Sequence, residues 1–180
     1  MNIPTNAEKQ AVWDAFSNGK PTRTPLRWNV NVRTWLLDPA LNTEGWTFED
    51  YLRDPQVTLG AQARYQAFAA RFYSRSSDRS DTLPERWGCS ADVQNCYDAA
   101  FFGGTVHAPP GQVPAVEPFL TLDDVDRFLA TDFCADLEDN PFLRERLAFT
   151  EELKRAAKDF RHEGRSAAVA DYTLGFDGAV

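Results

Sequence analysis

Behind Pro55, apolar side chains recur at Val57, Ala61, Tyr65, Phe68 and Phe72, spaced four, four, three and four residues apart. That period is one face of a long helix. Pro55, which has no N–H to give, suits its first turn. A second stripe of Leu143, Leu147, Thr150, Leu153, Ala157 and Phe160 follows Pro141 and stops at Gly164. Extended-looking runs lie around these two helices: TPLRWNVNVR at 24–33, residues 91–100, and the small-residue run SAAVADY at 166–172. Long helices alternating with strands imply an α/β protein with parallel strands. In such folds ligands meet the chain where strands end and loops begin.

Shorter signals fill the intervals. Thr5 with Glu8 forms a capping box ahead of Val12, Trp13 and Phe16, and Asn18-Gly19 closes that helix. Thr47 with Asp50 is a weaker cap, and Thr121 caps LDDVDRFLA, whose acidic first turn suits the helix dipole. TVHAPP and VPAVEPF form a short antiparallel hairpin around Pro110-Gly111, kept at an edge by its prolines. SRSSDRSD at 74–81 reads as a mobile surface loop.

A chain of 180 residues makes one domain, 1–180. Its 19 basic and 27 acidic residues are dispersed and leave a net charge of −8, which excludes the basic face that a nucleic acid needs. It also argues against membrane-surface binding, and no apolar stretch nears the ~20 residues that span a bilayer. The polar N-terminus and the odd count of cysteines (Cys89, Cys96 and Cys134) point to free thiols in a reducing cytoplasm.

Two constellations carry chemistry. If 24–33 is a strand, Arg27, Asn29, Asn31 and Arg33 share one face. That face is either an anion- and amide-binding wall, with Arg33 at the strand end as a carboxylate fork, or a solvated surface. In DVQNCYD, Asp92 and Asp98 bracket Gln94 and Asn95. A carboxylate there serves as a general acid or base, or meets a cationic nitrogen; the alternative is a helix cap. His107 stands alone and makes a poor metal ligand, and His162 sits at a charged helix end, so no metal site is expected. GxSxG, P-loop and GxGxxG patterns are absent. Trp28, Trp35, Trp46 and Trp87, with Tyr97, line either a flat-ring site or the core.

Four stretches occur in a telling order: FSNGKPTRTPLRWN, YLRDPQVTLGAQARYQAF, FFGGTVHAPPGQVPAVEPFLTLDDVDRFL and GRSAAVADYTLGFDGA. In that order the chain resembles the uroporphyrinogen decarboxylase superfamily, which includes corrinoid-linked methyltransferases. The resemblance implies the N-terminal half of a TIM (β/α)8 barrel, incomplete at its C-terminus, with a β-hairpin excursion after the second strand. It implies a lyase or methyltransferase acting on a small anionic or tetrapyrrole-related substrate. Asp92 or Asp98 matches the superfamily's aspartate after the second strand, and Arg33 matches one of its two arginines. Asn29, Asn31, Gln94 and Asn95 would supply neutral hydrogen bonds to the substrate. The other arginine position holds Val or Asn, which suggests a divergent member. Zinc or a corrinoid would have to come from a missing C-terminal half. A homodimer, or a partner half-barrel completing a non-catalytic fragment, is the alternative.

Overall fold

In the computed structural model, residues 3–133, 135 and 137–171 are described. Four helices come first: α1 (Asn6–Ser17), α2 (Val32–Leu37), α3 (Phe48–Arg53) and α4 (Pro55–Tyr73). The chain then forms β1 (Trp87–Cys89), α5 (Tyr97–Phe101), β2 (Val106–His107), β3 (Ala115–Val116) and α6 (Val125–Ala130). It ends with α7 (Pro141–Ala157), β4 (Arg161–His162) and β5 (Arg165–Val169). The capping boxes at Thr5 and Thr47 form as the sequence implies, and Pro55 and Pro141 occupy the first turns of α4 and α7. No helix among the described residues is long and apolar enough to cross a membrane.

The helix α4 is buried on two flanks. On one, Leu59, Ala63 and Ala67 pack with Trp87, Cys89, Phe149, Leu153 and Ala167. On the other, Ala61, Val57, Tyr65 and Phe68 pack with Val32, Trp35, Leu36, Phe48 and Tyr51. The apolar stripe in the sequence therefore marks only half of the buried surface, and its last member, Phe72, is 52% exposed. In α7, Leu143, Phe149, Leu153 and Ala157 are buried, whereas Leu147 faces solvent.

Strand β1 pairs with β5 in parallel, with Trp87 opposite Ala167 and Cys89 opposite Val169. β5 also pairs antiparallel with β4, through a turn in which Glu163 and Gly164 both have positive φ (48° and 74°), as a two-residue hairpin turn requires. Strands β2 and β3 form the expected hairpin, with Val106 opposite Val116. The other edge of β1 meets no strand among the described residues. Gln62 and Gln66 of α4 cover it: Ser90 N–H donates to Gln62 Oε1 (3.0 Å) and Gln62 Nε2 donates to the Ser90 carbonyl (2.8 Å). Gln66 repeats the pattern at Gly88, at 3.3 and 2.8 Å.

Several expectations are corrected. Residues 24–31 form no strand, and Arg27, Asn29, Asn31 and Arg33 do not share a strand face; Asn31 caps α2 and Arg33 lies in it. The edge that a strand here would pair with is occupied by the glutamines. The segment is tied instead to side chains, with the Tyr65 hydroxyl on the Asn29 side chain and Val30 carbonyl, and Leu26 on Asp78. Residues 94–101 are helical, and the strand lies upstream at β1. Asp92 Oδ1 takes the Gln94 N–H (2.7 Å), and Gln94 adopts φ 60°, so extended backbone cannot continue. His162 belongs to β4; its carbonyl accepts the Trp87 indole N–H at 2.9 Å. Trp35 and Trp87 are buried in different clusters, Trp46 packs beside Trp35, and Trp28 packs on Tyr73, so they build no common ring site. Cys134, Tyr172 and the end of GRSAAVADYTLGFDGA lie outside the described residues.

The 74–81 stretch is an anchor. Lys9, 3% exposed, donates to the Ser74 and Arg79 carbonyls, and Trp13 Nε1 donates to the Asp78 carbonyl (2.9 Å). The buried Asp78 carboxylate accepts from Arg23 and from the Leu26 N–H (2.7 Å). The Arg23 guanidinium, assisted by the Leu26 N–H, holds this carboxyl below the usual carboxylate range, although burial opposes it. A carboxyl depressed on folding contributes stability above its unfolded value near 3.9, and that stability is lost as pH falls through the lower folded value. Urea unfolding at pH 5 and pH 3 should therefore show declining stability, and Asp78→Asn should flatten the decline while lowering stability at neutral pH. Replacing Gln62 with Leu should cost about 2 kcal/mol in the same assay, because several partly buried partners lose their bonds. Gln66→Leu should cost less, since its bonds to Gly88 are exposed.

Candidate functional site

A cleft of about 780 Å³ opens where the parallel strands β1 and β5 end. Ser90, Ala91 and Asp92 enter it directly after β1, and Ala170 and Asp171 enter it after β5. Gly88 of β1, the 29–32 segment, Tyr51 of α3, Gln62, Tyr65 and Gln66 of α4, and residues 94, 95, 97 and 98 complete its lining. Six residues singled out by sequence, Asn29, Asn31, Asp92, Gln94, Asn95 and Asp98, thus line one cleft. Arg33 stands behind the wall, where its Nη2 donates to Asn95 Oδ1 at 2.9 Å.

Asp92 is held on both oxygens. Oδ1 accepts the Gln94 N–H, and Oδ2 accepts the Tyr51 hydroxyl at 3.2 Å and the Gln94 side-chain amide. Asp92 thus closes the turn onto Gln94 and also faces the cleft, while the N-cap of the following 3-10 turn is Val93. Gln94 keeps its Oε1 buried without a hydrogen-bond partner. Beneath this turn the thiols of Cys96 and Cys89 are buried. Burial pushes Cys96 up, with Arg33 opposing, and pushes Cys89 to about 12. Neither is an activated nucleophile, because the thiolate is the reactive form.

Asn29 accepts from Tyr65 (2.8 Å) and Arg79 Nη1 (3.2 Å), and Asn31 Oδ1 accepts the Arg33 N–H (3.0 Å). Both carboxamide oxygens are therefore engaged in shaping the wall. Asp98 is exposed in the first turn of α5, and its carboxylate accepts no hydrogen bond and joins no ion pair among the described residues. Asp171 pairs with Lys154 at 2.7 Å. Lysine, arginine and histidine are missing from the lining. No group of His, Cys, Asp and Glu among the described residues is arranged to hold a metal, and His107 sits exposed on β2.

No family model, curated protein or solved structure matches the chain. The chemistry of the cleft is accordingly read from its own residues. Sequence reasoning missed Tyr51, Gln62, Gln66 and Asp171. A signal for two of them was present: Gln62 and Gln66 stand four apart on an alanine-rich helix flank that is otherwise apolar. A polar pair at that spacing on a buried face needs a partner of its own.

Proposed function

We propose that the cleft binds a small molecule at the C-terminal ends of β1 and β5, with Asp92 and Asp98 as its reactive carboxylates. The observation that carries this reading is the convergence of six acid and amide side chains, chosen from sequence for their chemistry, on one cleft beyond two parallel strands. Strand ends are where α/β folds place ligands. The order of motifs resembling the uroporphyrinogen decarboxylase superfamily makes a lyase or a methyltransferase the reaction class, with β1 and β5 as two walls of a half-barrel.

Asp92, fixed by its hydrogen bonds, meets a donor group of the substrate. Asp98, exposed and without such restraint, is the carboxylate placed to exchange a proton. An anionic group on the substrate would be met by Arg33, reached past Asn95, since the lining itself carries carboxylates and no cation. Asn31, Gln94 and Asn95 lend polarity to the same wall.

A second reading is that the chain acts with a partner half. It is favoured by the apolar side chains left in solvent around α6, where Leu122 is 90% exposed and Leu129 76%. Monomeric proteins seldom leave such side chains clustered unless something covers them.

Side-chain amide NMR tests the first reading. The protein is titrated with a pyrrole carboxylate, a benzoate and a methylated amine. At least one should shift the Asn31, Gln94 and Asn95 amides together. Asp98→Ala and Arg33→Ala should each weaken that ligand about tenfold, or ~1.4 kcal/mol, with the melting temperature held. Shifts confined to residues outside the cleft, or loss of folding in both variants, would sink it.

A further inference from the structure

We propose that Tyr51 is a positioning residue which aims the Asp92 carboxylate into the cleft, and that Gln62 sets the direction of the Tyr51 hydroxyl. The inference rests on reading Asp92 as the group that meets the ligand.

The direction follows from counting donors and acceptors. The Gln62 carboxamide is oriented by backbone: its Oε1 faces the Ser90 N–H and its Nε2 faces the Ser90 carbonyl. Turning it over would set acceptor against acceptor and donor against donor. Its Nε2 edge therefore also points at Tyr51, and it donates to the phenol oxygen at 2.8 Å. With that oxygen accepting, the single hydroxyl proton is directed to Asp92 Oδ2, 3.2 Å away. The bonds run one way, from amide to hydroxyl to carboxylate.

Tyr51 is fixed elsewhere as well. Its ring packs edge-on against Phe48, with centroids 6.1 Å apart, and its carbonyl accepts the Thr58 hydroxyl. The residue is 1% exposed. Burial, and next the charge of Asp92, push its ionisation well above the ordinary range, so the proton stays on the phenol and available to the carboxylate. Gln94 adds bonds to both carboxylate oxygens. Rotation of the carboxylate would break bonds on both, so Asp92 is pre-oriented before any ligand arrives.

The test follows Asp92 in the intact protein without ligand, by pH titration of its carboxyl carbon in NMR. Hydrogen bonds to a carboxylate favour its charged form. Tyr51→Phe keeps the ring contacts and removes the proton, so the Asp92 midpoint should rise by about one pH unit. 3-Fluorotyrosine placed at position 51 is a stronger donor and should lower it. Asp124, in the capping turn ahead of α6, serves as the internal control and should not move. Opposite shifts at Asp92 with an unmoved control support the relay. A midpoint that is the same in wild type and both variants overturns it, as does an equal shift at Asp124. If the phenylalanine protein fails to fold, the fluorinated protein decides alone, because it retains the hydroxyl. Failure of every probe to bind in the preceding titration would remove the binding reading without moving this midpoint, so the two failures are told apart.

Discussion

Everything around the cleft depends on how α4 closes the open edge of β1. A three-residue strand with one neighbour leaves peptide groups unpaired, which is costly when they are turned toward protein. A glutamine carboxamide carries one acceptor and a donor side by side, as a neighbouring strand would offer. The spacings agree: four residues of helix rise about 6 Å and two residues of strand about 6.6 Å. Gln62 and Gln66 can therefore meet Ser90 and Gly88 together. The match fixes the position of α4 along β1, and with it the point at which the chain leaves the strand and turns at Asp92.

The remainder of α4 fits that role. Its β1-facing flank carries Ala63 and Ala67 beside Leu59, and short side chains let helix and strand approach closely enough for the glutamines to reach. The opposite flank holds α2 and α3, and so sets Tyr51 against Asp92. Trp87 extends the frame on the strand side: wholly buried, it gives its indole N–H to the His162 carbonyl and so ties β1 to β4 across β5. Gly60 shows how tight the arrangement is, since a Cβ there would lie 2.6 Å from the Trp46 ring.

Much of the local structure was legible because its chemistry is local. Thr5 and Glu8, Thr47 and Asp50, Pro55 and Pro141 act within a turn of themselves, and the 106–116 hairpin and β5 announce themselves by composition. The failures share a cause. TPLRWNVNVR alternates like a strand, yet alternation cannot reveal that the outer edge of β1 is filled by glutamine side chains that lie later in the chain, on α4. Polar SRSSDRSD is a loop as its composition implies, but composition cannot reveal that Lys9, Trp13, Arg23 and Leu26 converge on it from the N-terminus. The cleft's acids and amides could be picked out because their residue types are conspicuous beside apolar neighbours. Of their supports, Gln62 left a trace in its spacing from Gln66, whereas Tyr51 looks like an ordinary helix residue until the fold brings it to Asp92.

The two carboxylates of the DVQNCYD stretch end up in contrasting settings, and the contrast follows from the turn between them. Asp92 closes the chain onto Gln94 and is tied through Tyr51 to the helix that covers β1. Asp98 is carried one helical turn beyond, onto an exposed face of α5. A carboxylate bonded on both oxygens is held in one orientation, whereas an exposed one samples several. The same short sequence thus places one carboxylate bonded on both oxygens and one exposed carboxylate at a single cleft. That division is enforced by backbone geometry at Gln94, where a positive φ turns the chain sharply enough to separate them.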